Sequence, residues 1–220
     1  MKSVEINGIE VFVEETEHYV QVNDIREADL TKLWEPLTEQ YPGYKVNLCF
    51  HDMPVPKDAL AAIGAEVLED CISMKVTSQE FTPCGNAEIT LLEKSDFDAF
   101  AALHDTLPDM YWTSRRLWDK WDNWRILVIR TNGKITGYTM ICLAMRDDSM
   151  GEIYAVEGDN QTQREALFSA AVRCAFENDK TVVFRVVDRD NFCEKAAALA
   201  VGFKEVGFYI GYAVKCPDRQ

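Results

Sequence analysis

The spacing of apolar residues changes rhythm along the chain, and the changes mark the elements. Alternating positions over residues 9–14 and 18–22, split by the acidic run Glu15-Thr16-Glu17, predict two strands. Leu30, Leu33, Trp34 and Leu37 then recur at helical intervals, predicting a helix that Asp29 caps and Pro42-Gly43 ends. A strand over 44–50, a turn holding Pro54 and Pro56, a helix over 57–63 stopped by Gly64, and a strand over 65–76 follow. The order so far is β-β-α-β-α-β.

Pro83, Cys84 and Gly85 punctuate a linker over 78–86, which divides the chain into parts 1–80 and 86–220. The second part opens with a strand over 87–92 and a helix over 97–104, capped by Ser95 or Asp96. A helix over 114–121 precedes strands over 124–130 and 135–145, which Asn132-Gly133 joins as a hairpin. Residues 152–156 form a short strand, residues 157–161 a polar loop, and a long helix runs on towards Asn178. That helix carries Ala166, Leu167, Ala170, Ala171, Cys174 and Ala175 as one apolar stripe. The nearly unbroken apolar run 181–187 reads as a strand covered on both faces. A helix over 191–201, closed by Gly202, and a strand over 208–214 end the pattern β-α-α-β-β-β-α-β-α-β.

A shift of 138 residues lays 52–64 on 190–202 with five identical pairs, among them Asp52/Asp190, Lys57/Lys195 and Gly64/Gly202. The first part is therefore read as a shortened copy of the second. Its residues 23–29 hold no glycine and no amide or hydroxyl cluster, so no phosphate site is expected there.

Composition narrows the chemistry. An apolar fraction of 47% over 220 residues suffices for a real core. With 37 acidic against 23 basic residues the net charge is -14, which opposes nucleic-acid binding. Seven scattered cysteines without a C-x-x-C pair suit reduced thiols, and three histidines without ligand spacing argue against a metal site. The sequence lacks both a membrane-length apolar run and a signal-peptide core near Met1, so a cytoplasmic protein is expected.

Candidate chemistry gathers in residues 151–178. Gly158, Asn160 and Gln161 lead into Thr162, Gln163 and Arg164, where unpaired N–H groups and the positive helix end favour an anion. An ordinary ligand-free strand-to-helix turn is the competing reading. No G-x-G-x-x-G follows a strand, which speaks against a dinucleotide-binding Rossmann unit.

The element order of 87–216 resembles the GNAT superfamily of acyl-CoA-dependent N-acyltransferases. Residues 152–156 look like that family's fourth strand, and Asn191 with Gly202-Phe203 is similar to its closing N-x-x-A-x-x-L-Y-x-x-x-G-F pattern. The resemblance implies an α/β fold, a GNAT-type mixed sheet flanked by helices, preceded by a half-copy of the same fold. It also implies acetyl-CoA as co-substrate. The main chain of Tyr154, Ala155 and Val156 would hold the pantetheine arm; Gly158, Asn160, Gln161, Thr162, Gln163 and Arg164 would hold the diphosphate, with Asn191 nearby. Glu152 takes the place of the general base, with Glu157 in reserve. The family's R/Q-x-x-G-x-G/A loop is here shorter and without glycine from Asn160 onward, and its acid tyrosine falls at Ala198, leaving Tyr209 or Tyr212 as substitutes. Asp109, Tyr111 and Trp112, with Trp118, suit a cationic amine on a small molecule or peptide. A homodimer is left open. The alternative is a GNAT-fold binding or scaffold module without turnover.

Overall fold

Asn7 and Gly8, both at positive φ (52° and 80°), turn β1 (Lys2–Ile6) back on β2 (Ile9–Glu14) in an antiparallel hairpin. Strand β1 lies ahead of the first predicted strand, although Asn7-Gly8 is the same turn signal as Asn132-Gly133. In the computed structural model, residues 1–107 and 111–218 are described. They pack as two units, Met1–Ile72 with Gly207–Gln220, and Ser73–Val206.

In the first unit β2 continues antiparallel into β3 (Tyr19–Asn23), and α1 (Glu27–Gln40) crosses over to β4 (Lys45–His51), which pairs parallel with β3. Helix α2 (Lys57–Ala62) leads to β5 (Glu66–Thr77). Residues 209–215 of the last strand, β11 (Lys204–Lys215), pair antiparallel with β4. Leu30, Leu33 and Leu37 of α1 close the core over Val20, Val22, Val46 and Leu48. Asp29 does not cap α1. The helix begins two residues earlier, with Leu30 N–H bonded to Arg26 C=O, and Asp29 lies in its first turn. Pro36 sits inside α1 and cannot donate to the carbonyl of Lys32; the Asn7 side-chain amide bonds that carbonyl at 3.3 Å.

The second unit contains β6 (Ile89–Leu91), α3 (Phe97–His104), α4 (Ser114–Asp119), β7 (Trp124–Thr131), β8 (Lys134–Cys142), β9 (Met150–Glu157), α5 (Gln161–Glu177), β10 (Val182–Asp188) and α6 (Phe192–Val201). Strands β6 to β9 are antiparallel in order, β10 is parallel to β9, and residues 73–77 of β5 belong to the same unit. Asn132 and Gly133 adopt φ of 52° and 77° at the hairpin turn. Phe97 and Phe100 of α3 and Leu117 of α4 pack with Trp124, Val128, Tyr138 and Met140. Helix α5 buries Leu167, Phe168, Ala171, Val172 and Ala175; Ala170 and Cys174, which the stripe also included, are only half-buried. The chain is thus α/β, with a large mixed sheet flanked by helices. Among the described residues no helix is long and apolar enough to cross a membrane.

Candidate functional site

The parallel pair β9–β10 is incomplete. Its register runs from Val182 opposite Met150 to Arg185 opposite Ile153, yet β9 continues to Glu157 and β10 to Asp188. The cause lies on the other side of β9. Against β8, Ala155 faces Met140 and Ile153 faces Ile141, so Tyr154 is an extra, bulged residue. A bulge sharpens twist and bends its strand. Main-chain groups of residues 154–157 that point away from β8 are left without a β10 partner, and such groups need a hydrogen-bonding ligand or water. The side chains of Ala155 and Val156 are buried, so what this stretch offers a ligand is backbone.

The last rung is stapled. Arg185 Nη1 donates to Ile153 C=O at 3.2 Å, while Nε and Nη2 reach Glu194 Oε1 at 2.7 and 2.6 Å. These side chains are only 14% and 8% exposed. Asn191 caps α6, accepting from Glu194 N–H at 3.1 Å and donating to Glu194 Oε2 at 2.9 Å. Its amide is therefore engaged with the staple. Glu157 lies close by, and its carboxyl is raised above the usual range by burial first and then by the Glu194 charge, with Arg164 and Arg185 opposing.

At the start of α5, Asn160 Oδ1 accepts from Gln163 N–H at 3.0 Å and Gln163 Oε1 accepts from Asp159 N–H at 2.8 Å, a reciprocal capping arrangement. The first helical bond runs from Arg164 N–H to Asn160 C=O, so the N–H groups of Gln161 and Thr162 precede the helical ladder. A Cβ at Gly158 would come within 3.3 Å of Gln163 and Arg164, so the turn is tight there. Among the described residues the Arg164 guanidinium has no hydrogen bond or ion pair. Two free amides, a guanidinium and a helix N-terminus fit a phosphate. The side chain of Gln161 is turned away to Glu165 Oε1 at 3.0 Å.

Further along β9 stands Glu152. Tyr154 Oη donates to Glu152 Oε2 at 2.6 Å, as the two-residue period of a strand permits. Burial, then the Glu152 charge, hold the Tyr154 hydroxyl far above its usual range. The Tyr154 ring meets Trp124 at 5.1 Å and Trp112 at 6.1 Å between centroids. Trp112 is fixed in turn by its carbonyl, 2.6 Å from His104 Nε2. A carbonyl only accepts, so Nε2 donates to it, while Nδ1 and Tyr138 Oη share a hydrogen bond of 2.7 Å. His104 is thus a fully buried link behind the aromatic wall.

The aromatic faces expected to suit a cationic amine already carry cations of the chain. Arg116 lies 4.0 Å over the Tyr111 ring and Lys120 Nζ 5.4 Å from the centroid of Trp112. Trp118 packs on Phe97 at 4.9 Å. Asp109 lies outside the described residues.

Tyr209 and Tyr212 belong to the first unit, whereas Glu152 belongs to the second. Tyr209 Oη lies 3.4 Å from Cys49 Sγ and its ring 5.1 Å from that of His51. Burial, Cys49 and Glu69 all raise its hydroxyl far above the usual range, and burial pushes the Cys49 thiol up to about 11. Tyr212 packs edge-on against Phe50.

Sequence reading assigned nothing to Arg185, Glu194, His104 or Tyr138. Asn191 with Glu194 three residues on is a legible cap; Arg185 meets Glu194 nine positions on and Ile153 32 positions back, and His104 meets Trp112 eight and Tyr138 34 positions on.

No protein-family model and no curated protein matches this sequence. Solved structures do. A functionally unknown conserved protein from Staphylococcus epidermidis superimposes with a TM-score of 0.73 at 12% identity, covering 98% of this chain and 94% of that one. A GCN5-related N-acetyltransferase from Kribbella flavida gives 0.68 at 11% identity, over 96% and 88%. A tandem GNAT protein from the clavulanic acid biosynthesis pathway gives 0.65 at 12% identity, over 96% and 79%. At such identities the likeness carries the architecture alone, and that architecture is the GNAT fold.

Proposed function

We propose that the protein is an N-acyltransferase that moves an acyl group, acetyl in the simplest case, from acyl-CoA to an amine. The observation that carries this reading is the parting of β9 and β10 beyond Ile153, with Glu152 and Tyr154 beside the last rung and the free amides of α5 at the far end. The pantetheine amides would pair with the main chain of residues 154–157, and Gln161 N–H, Thr162 N–H and Arg164 would hold the diphosphate. The thioester supplies an activated carbonyl. Glu152 takes the proton of the incoming ammonium, the neutral nitrogen bonds the acyl carbon as its C–S bond breaks, and the CoA thiolate leaves and takes its proton from solvent; Tyr154, donating to Glu152, keeps that carboxylate aimed. Main-chain N–H groups freed by the bulge polarise the carbonyl.

Residues 86–220 would form the catalytic part, residues 1–80 a shortened non-catalytic copy, and the acceptor would enter beside Tyr111 and Trp112. A second reading, binding without turnover, has its own support. Ala198 is fully buried where the resemblance places the acid tyrosine, and the capping pair Asn160/Gln163 satisfies part of the helix start. Thermal shift with acetyl-CoA and desulfo-CoA separates the outcomes. A rise with millimolar ligand, about 3 kcal/mol at a hundredfold excess over Kd, supports both readings. Thiol release against an amine panel then distinguishes them, and no shift with either ligand removes both.

A further inference from the structure

A cleft of about 470 Å³ lies on the flank of α5 away from its N-terminus, between the C-terminal half of the helix and β6–β7. Its volume falls within the range of small-molecule sites. It shares no lining residue with the β9–β10 opening or the aromatic wall. One side is held rigidly: Cys84 N–H donates to Ser169 Oγ and Ser169 Oγ donates to Cys84 C=O, each at 2.9 Å. Gly85, at φ +77°, lies so close to α5 that a Cβ would clash with the main chain of Ala166 and Thr162. The wall is therefore packed backbone that no larger residue can replace.

Two guanidiniums line this cleft, Arg125 from β7 and Arg173 from α5. Arg125 uses Nη1 to hold the carbonyls of Asp122 and Trp124, at 3.2 and 2.8 Å, and its other donors have no partner among the described residues. Arg173 has no hydrogen bond or ion pair among the described residues, although Glu177, also on the rim, is one turn further along the same helix. In a chain of net charge -14, two incompletely paired arginines in one cleft mark it for an anion. The rest of the lining includes Ile89, Leu91 and Leu127, and Leu91 is 54% exposed on the edge strand. Glu177 and the negative end of α5 disfavour a dianion.

We infer that the cleft is a binding site for a small monocarboxylate with an apolar body, the carboxylate held by Arg125 and Arg173 and the body over Ile89 and Leu127. A guanidinium fork matches a carboxylate in two hydrogen bonds, and the apolar floor excludes water from the tail. This site is independent of the acyl-transfer reading and stands if that reading falls.

Hexanoate is the probe, titrated into the full chain by calorimetry, with hexylammonium and inorganic phosphate beside it. The expected result is saturable binding of hexanoate, weakened about tenfold or more by Arg173→Gln, a loss of some 1.4 kcal/mol per tenfold. Arg173 is exposed, so this variant keeps the fold. Alkylation mapped by peptide mass adds a local readout: hexanoate slows modification of Cys174, which lines the cleft, and leaves exposed Cys193 unchanged. Hexylammonium or phosphate binding as tightly as hexanoate, unaltered affinity in Arg173→Gln, or no saturation by about 10 mM overturns the proposal.

Discussion

The chain builds the same unit, strand, helix and parallel strand, once in each packed unit, and only one of them opens. In β3–α1–β4 the pairing is complete, from Tyr19 opposite Lys45 to Asn23 opposite Cys49, and Asp24 N–H adds a further bond to Cys49 C=O at 2.7 Å. In β9–α5–β10 it stops at Ile153 although both strands go on. The neighbour on the far side decides. Strand β3 meets β2 in unbroken register, whereas β9 carries the extra Tyr154 against β8. The helix starts differ in the same sense. The first turn of α1 holds Glu27 and Asp29 and has no side-chain cap; that of α5 holds no acid and is capped by Asn160. An anion is repelled at one and accommodated at the other. A cleft thus comes from one inserted residue, and its charge preference from a few positions in one helical turn.

The open pair depends most on the staple, a buried ion pair, whereas Asp24 Oδ1 accepts from His51 N–H at 2.7 Å at the exposed end of the zipped pair. Arg185→Met leaves Glu194 buried without its cation and is expected to cost about 3 kcal/mol or more in denaturant unfolding. Addition of Glu194→Leu should recover most of that loss. If Arg185→Met is neutral, the last rung is held by something else. Next in size is the chemistry that the open pair permits: Glu152→Gln should lower kcat by about a hundredfold or more with KM for the acyl donor little changed. Equal rates for the two proteins would take the base role from Glu152. At the helix starts, Arg164→Gln should weaken CoA binding by about tenfold, an amount fitting the loss of one charge-assisted contact. Arg26→Gln, at the cap of α1, should leave it unchanged; similar losses in both would erase the distinction between the two turns.

The smallest effect is a pH dependence. Glu157 binds its proton more tightly folded than unfolded, so between its unfolded and raised folded pKa the native state holds more protons. Its contribution therefore falls as pH rises through that window and stays unfavourable above it. Glu157→Gln should be more stable than the parent near pH 7, with the advantage shrinking towards acid pH, as melting temperatures of the two proteins would reveal. A constant difference across pH would mean the carboxyl is not confined by burial and Glu194.

Much of this was written locally. Asn132-Gly133 made its hairpin, α3 occupies residues 97–104 as the spacing predicts, and Gly202 at φ 102° ends α6. Asn7-Gly8 was equally plain and marks the strand that the alternation reading passed over. Glu152 and Tyr154, two apart on one strand, had to share a face, and the capping pairs at Asn160 and Asn191 are three-residue patterns. All of these depend on neighbours a few positions away, where φ/ψ preference and element period act directly. The opening of β9 from β10, the Arg185–Glu194 staple, the cations lying over Tyr111 and Trp112 and the enclosure of Tyr209 beside Cys49 are of another kind. They arise from register between separate strands and from side chains meeting across elements. Register is set by how whole faces bury, so no single stretch of this sequence contains it.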